Sequence, residues 1–281
     1  LALFTLITLS TGVFYIAKKL NFPYTVLLVF VGLFLAPLAN MPYISEAFGF
    51  IDDLVLTPEL LFFIFLPILI FESGFNMHIR KMLESAWTIS FLAIGVLCLS
   101  VATISALIYF IMPLIGIKIP LIVALLFGTI ISPTDPVAAL SLFKECGVPR
   151  KLALIFEGES LFNDGTAMAL FLVILSIAVG GFHGVETVLH GIVDFAIMII
   201  LGIVIGLLMA AIFTRALRYT KKNEFVTVTL LLVSAHMVFI LTELINESGY
   251  IHVSSIIAAT VSSLFLGNYS RNALSPKVDH Y

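Results

Sequence analysis

The stretch LLFGTIISPTDPVAALSLF (residues 125–143) reads as a membrane helix up to its middle and then breaks its own pattern. Pro133 and Pro136 flank Thr134 and Asp135 in a run that is otherwise almost wholly apolar. Each proline lacks a backbone donor and crowds the carbonyl four residues earlier, which releases the carbonyls near 129 and 132 from helical pairing. Backbone without such pairing survives at membrane depth only where it is buried in protein or lines a cavity. Asp135 stands where a second half-helix would begin, at the positive end of that half-helix's dipole. Two readings of Asp135 follow: a cap that holds no ion, or part of an ion site built on a broken helix.

The rest of the chain makes hydrocarbon the right surroundings for this stretch. Of its 281 residues 61% are hydrophobic and only 11% charged, whereas soluble domains carry roughly 25% charged residues. Runs long enough to span a bilayer, roughly 17–25 apolar residues, fall near 1–17, 22–39, 59–76, 86–112, 119–142, 152–179, 188–214, 225–245 and 251–268. They are continuously apolar with no alternation of period two, so helices are expected and a barrel is not. Cys98 lies in an apolar run and Cys146 in a basic loop, and together they make no disulfide framework. Apolar sequence starts at once from Leu1, with no signal peptide, and this start predicts a fragment.

The loops orient the spans. Thirteen of the fourteen basic residues, beginning with Lys18 and Lys19 and ending with Arg271 and Lys277, fall in odd-numbered loops. Only Lys118 falls in an even one. The positive-inside rule then puts the odd loops in the cytoplasm, the N-terminus outside and Tyr281 inside. The long connection 40–58 holds Glu46, Asp52 and Asp53 without a basic residue, and reads as a solvated outer loop. Asn246 and Asn268 open glycosylation sequons, of which the second would lie on the cytoplasmic side.

An ionisable side chain in mid-bilayer costs about 2.5–3.5 kcal/mol on insertion scales, which makes it a functional candidate. Asp135, Asp164, Glu72 and Glu243 meet that description, while Glu157 and Glu159 lie nearer one end of the sixth run. In IFEGESLFNDGTAMALF (155–171), helical spacing puts Glu157, Ser160 and Asp164 on one face. Glu159 and Asn163 form a second polar pair on a stripe about 100° away. Oxygen donors without His or Cys suit a hard cation and argue against zinc or copper. Glu72, in IFESGFN (70–76), is either a helix-end residue reaching the interface or a neighbour of this polar stripe. Glu243 and His236 read as structural.

SPTDPVAAL (132–140), then VPRKLALIFEGESLFNDGTAMALF (148–171), resemble the monovalent cation:proton antiporter family, the sodium/proton exchangers of bacterial and animal type. IFESGFN and HVSSIIAATVSSLFLGNYSR (252–271) fit the same pattern, so the likeness covers nearly the whole chain. The resemblance implies an all-α polytopic membrane protein with an inverted-repeat fold. Two repeats of six helices flank a linking helix, the fifth helix is broken at Pro133–Pro136, and the protein forms a homodimer. About nine of the thirteen helices would be present. Residues 1–85 would supply dimerisation-type helices one to three, 86–180 the core helices four to six, 188–214 the linking helix and 225–268 helices eight and nine. The resemblance further implies a cation and proton site at Asp164, with Ser160, the backbone of Thr134 and Glu72 as further ligands. Asp135 would balance crossed half-helices, while Asn163 and Glu159 hold the core together, Glu159 through an arginine of a later helix. No basic residue here lies deep enough to be that arginine, so a truncated chain is expected.

The activity so implied is exchange of Na⁺, Li⁺ or K⁺ for protons across a plasma or inner membrane. It needs no cofactor and no nucleic acid. A carboxylate that takes a proton or a cation in turn, and faces each side only when occupied, couples the two fluxes. In the family an Asn at position 163 accompanies one-for-one, electroneutral exchange. A cation channel would need a continuous pore, and no ring of acids is visible; a non-transporting membrane subunit is the other alternative. No Ser/His pair, zinc triad or paired Asp motif points to an enzyme.

Overall fold

A computed structural model describes residues 2–20, 22–39, 57–136, 139–140, 147–220, 224–249 and 251–270. The acidic loop 40–56 and Cys146 lie outside the described residues. Each of the apolar runs in the sequence carries a helix. These are α1 (Ala2–Leu20), α2 (Tyr24–Ala39), α3 (Pro58–Asn76), the short α4 (Ile79–Glu84), α5 (Ala86–Ile115) and α6 (Leu121–Ile131). α7 (Arg150–Gly180), α8 (Val185–Thr220), α9 (Glu224–Glu247) and α10 (Ser255–Phe265) follow. Among the described residues α3, α5, α7, α8 and α9 are long and apolar enough to cross a membrane, and α2, α6 and α10 are shorter apolar helices. α7, at 31 residues, extends about 46 Å and overreaches a hydrocarbon core of about 30 Å.

By contact density the chain divides into Leu1–Leu61 and Phe62–Tyr281. Within the first unit the Ser10 and Tyr24 hydroxyls are hydrogen-bonded, and the rings of Phe14 and Tyr24 meet edge-on at 5.5 Å. Thr57 caps α3 by accepting the Leu60 N–H at 3.3 Å, and Pro58 follows at the position that needs no donor. The helix then widens into a π turn at Leu61–Phe65, just ahead of Pro67. A wide turn relieves the clash between a proline ring and the carbonyl four residues back.

In the second unit, α5 opens with another wide turn, at Phe91–Val96. It ends at Gly116, whose φ of +84° favours glycine. Ser105 of α5 shares its hydroxyl between the Val101 carbonyl at 2.6 Å and the Ala124 carbonyl of α6 at 3.0 Å. Gly128 lets the two helices approach, since a Cβ there would lie 2.6 Å from Ser105 Oγ.

α10 is the hub of this unit, buried along nearly its whole length. Six of its eleven residues are Ser, Ala or Thr, side chains small enough for neighbouring backbones to touch. Gly74 of α3 abuts Ser263, Gly165 of α7 abuts Ile257, and Gly202 and Gly206 of α8 face the Ser254 and Ala258 carbonyls. Gly202, Gly206 and Ala210 repeat at four-residue spacing, the small-residue stripe of closely packed membrane helices.

The two sequon asparagines are structural clamps. The Asn246 amide accepts the Val253 N–H at 2.7 Å and donates to the Val253 carbonyl at 3.0 Å, fixing the entry to α10. Asn268 accepts the Ile79 N–H at 3.1 Å and donates to the Met77 and Leu264 carbonyls at 2.8 Å, tying the α3–α4 corner to the end of α10.

Candidate ion-binding site

The break expected from the prolines is present. α6 stops at Ile131, and residues 132–136 are non-helical. The Leu140 N–H then donates to the Pro136 carbonyl at 2.7 Å, a helical spacing. α7 runs beside this gap, and two of its side chains reach in.

Glu159 and Asn163, one helical turn apart, converge on Thr134. The Asn163 amide donates to Glu159 Oε1 at 2.7 Å and to Thr134 Oγ1 at 3.1 Å, with a longer contact to the Thr134 carbonyl at 3.5 Å. The Thr134 hydroxyl donates to Glu159 Oε1 at 3.3 Å. Asn163 is 1% exposed, and its Oδ1 has no hydrogen-bond partner among the described residues. The helix break and the second polar pair of α7 thus meet through an amide and a hydroxyl.

The other stripe of α7 faces differently. Ser160 is half-buried, and part of Asp164 is accessible at the surface of the described chain. The reason is angular: residue 164 stands about 100° around the helix from 163. Asp135 is exposed at the break, beside Thr134. Glu72 is exposed on α3, its carbonyl accepting the Asn76 amide at 3.0 Å. No hydrogen bond or ion pair among the described residues joins its carboxylate to Ser160 or Asp164. The hydrogen bonds therefore join Thr134, Glu159 and Asn163, with Asp164 the next residue of α7.

One supporting residue was not singled out in the sequence. Thr166 donates its hydroxyl to the Ala93 carbonyl, inside the wide turn of α5, at 2.7 Å and contacts the Asn163 carbonyl at 3.0 Å. Its signal was its place three residues after Asn163, on the same buried face. Glu243, read as structural, accepts the Ser255 hydroxyl and, at 3.5 Å, the Asn246 amide.

Replacing Asn163 by Ala removes the only amide joining the break to α7 in this cluster and leaves Thr134 and Glu159 short of a donor. The expected cost is about 1–3 kcal/mol, read as a lowered unfolding midpoint of the purified protein. An unchanged midpoint would show that the cluster does not hold the break.

The chain is a set of apolar helices whose short fifth span is interrupted beside carboxylates of the sixth. The chain belongs to the sodium/hydrogen exchanger transmembrane family, whose model matches residues 4–280. It is 32% identical over 268 residues to the Na⁺/H⁺ antiporter NhaH of Halobacillus aidingensis, covering 94% of this chain and 62% of that protein. It is 34% identical over 281 residues to the antiporter ApNhaP of Aphanothece halophytica, covering 96% of this chain and 48% of that protein. A third relative, the low-affinity antiporter NhaS1 of a Synechocystis strain, is 35% identical over 259 residues, covering 91% of this chain and 44% of that protein. The chain thus spans about half the length of the curated relatives it matches. Its fold is similar to that of the sodium proton antiporter MjNhaP1 from Methanocaldococcus jannaschii at pH 8. The TM-score is 0.71 at 23% identity, covering all of this chain and 66% of that one.

Proposed function

We propose that this chain carries the ion site of a secondary antiporter, not an enzyme, that exchanges Na⁺, or Li⁺ or K⁺, for H⁺. The observation that carries the reading is the hydrogen-bonded set of Thr134, Glu159 and Asn163. It fixes the interrupted helix against the turn of α7 on which Asp164 stands. The relatives named above are Na⁺/H⁺ antiporters, which supports the same cargo.

In this reading Asp164 is the exchanging carboxylate. Ser160, the Thr134 carbonyl and Glu72 complete the oxygen set around the cation. Asp135 balances the half-helix ends, and Glu159 and Asn163 position the break. A carboxylate binds a proton or a cation and not both at once, so one species leaves as the other arrives. Asn163 contributes an amide where a second acid would add a second titrating group, so one charge moves in each direction and the exchange is electroneutral. The protein is a multi-pass homodimer in a plasma or inner membrane, its N-terminus outside and its Tyr281 end in the cytoplasm. Residues 1–85 belong to the dimerisation part, 86–180 to the core, 188–214 to the linking helix and 225–268 to helices eight and nine.

The test is proton flux into proteoliposomes of the full-length protein, driven by a Na⁺ gradient at clamped membrane voltage. One-for-one exchange gives a flux that follows the Na⁺ gradient and ignores the voltage. A flux that tracks voltage contradicts electroneutrality, and a Na⁺ current without proton movement replaces the antiporter with a channel.

A further inference from the structure

The turn of α7 that carries Asp164 is tied down on both sides of that residue. Asn163 donates to Thr134 in the break after α6, and Thr166 donates to the Ala93 carbonyl of α5. Between them in the chain, the Gly165 carbonyl accepts the Ser254 hydroxyl at 3.2 Å. Residues 163, 165 and 166 are bonded to three different elements, and the fourth residue of the turn is Asp164.

Ser254 sits immediately before the first residue of α10 and is 3% exposed. Its hydroxyl accepts the Ile257 N–H at 3.3 Å, capping α10, while it donates to Gly165. Its own N–H donates to the Met198 carbonyl of α8 at 3.3 Å. One buried serine joins α7, α8 and α10. Both of its acceptors are helix carbonyls, which keep a second lone pair for a donor that can approach. In a helix the carbonyl of residue 198 is directed at residue 202, and that of 165 at residue 169. Those positions are Gly202 and Ala169, so little side chain stands over either oxygen. The segment around Ser254 is held from α9 as well, since Asn246 clamps Val253 and Glu243 accepts the Ser255 hydroxyl. With α8 and α9 holding its surroundings, Ser254 is a fixed point against which α7 is registered.

We infer that Ser254 is a positioning residue for cation binding: its bond to Gly165 sets the height and rotation of the α7 turn that presents Asp164. This rests on the exchange reading proposed above. A binding constellation must be held within about 0.5 Å of its working geometry, so a slack turn costs cation affinity.

The test is Na⁺-driven proton flux in proteoliposomes of the full-length protein over a Na⁺ series, with the unfolding midpoint measured alongside. Ser254→Gly removes the donor to Gly165, while glycine remains acceptable as a helix cap. It should raise the half-saturating Na⁺ concentration several-fold, with maximal flux and midpoint close to the parent's. Ser254→Thr restores a hydroxyl and should return half-saturation to near the parent value. If the threonine methyl lowers the midpoint, Ser254→Cys, of nearly serine size and with a weaker donor, takes its place and should fall between parent and Ser254→Gly. Parent half-saturation in Ser254→Gly overturns the inference. So does a fall in maximal flux and midpoint at unchanged half-saturation, which would make Ser254 a packing residue only. A folded Ser254→Thr as impaired as Ser254→Gly also overturns it, because the hydroxyl would then not be what matters. Absence of Na⁺-driven flux in the parent protein overturns the exchange reading and this inference with it, whereas flux in the parent and variants alike overturns this inference alone.

Discussion

Asp164→Asn is expected to reduce Na⁺-driven proton flux to that of protein-free liposomes while leaving the fold intact. The amide has nearly the shape of the carboxyl, but it neither takes up a proton in the working pH range nor presents a charge to a cation. On the proposed reading it removes both halves of the exchange in one step. The fold should tolerate the change because Asp164 is exposed, and substitutions at such positions are usually within about 0.5 kcal/mol. The pair of measurements is flux in proteoliposomes and the unfolding midpoint in detergent. Flux near the parent level with an unchanged midpoint would transfer the exchanging role to another acid, and Glu72 and Asp135 would be the next to replace.

The second large effect lies in the packing. Gly206→Ala places a Cβ 2.5 Å from the Ala258 carbonyl oxygen, an atom of the α10 backbone that cannot swing aside. Either α8 or α10 must shift, and α10 is held in turn by α3 and α7. Overpacking of this kind costs typically 1–3 kcal/mol; with backbone on one side and three helices coupled, about 3 kcal/mol is expected. Gly12→Ala on α1 is the matched control, since a Cβ there meets nothing within 4 Å. A helical glycine replaced by alanine in open space gains roughly 0.5–1 kcal/mol, so the two variants should move the midpoint in opposite directions. If Gly206→Ala unfolds no earlier than the parent protein, the contact between α8 and α10 is looser than described.

These two residues mark how far the sequence could be read. Span positions were legible because twenty apolar residues leave few alternatives, and the proline pair located the gap between Ile131 and Pro136 before any coordinates. The family was legible from SPTDP and GESLFND in order, and residues 4–280 match its model. Helical spacing also separated the Glu159–Asn163 stripe from the Ser160–Asp164 stripe. Spacing fixes angles around one axis, however, and says nothing of which neighbour each angle meets. That Asn163 rather than Asp164 turns into the break is a property of how α6 and α7 pack. The same limit hid the part played by Gly206, whose significance is an oxygen fifty-two residues away. The clamping roles of Asn246 and Asn268 are hidden for a related reason, since a three-residue sequon is local and their partners are Val253, and Ile79 with Met77. The helix Ile79–Glu84 is hard to tell from a loop, because six residues with two cations carry too little periodicity.

The wide turn at Phe91–Val96 has a mechanical consequence. Such a turn holds one surplus residue, and returning it to ordinary pitch would screw the remainder of α5 by about 100° and slide it about 1.5 Å. Ser105 would then swing out of the notch at Gly128, and Thr166 would lose its acceptor at Ala93. Two hydroxyls thus act as a ratchet pawl on this helix, beside the packing of Ile89, Ala93, Leu97 and Val101.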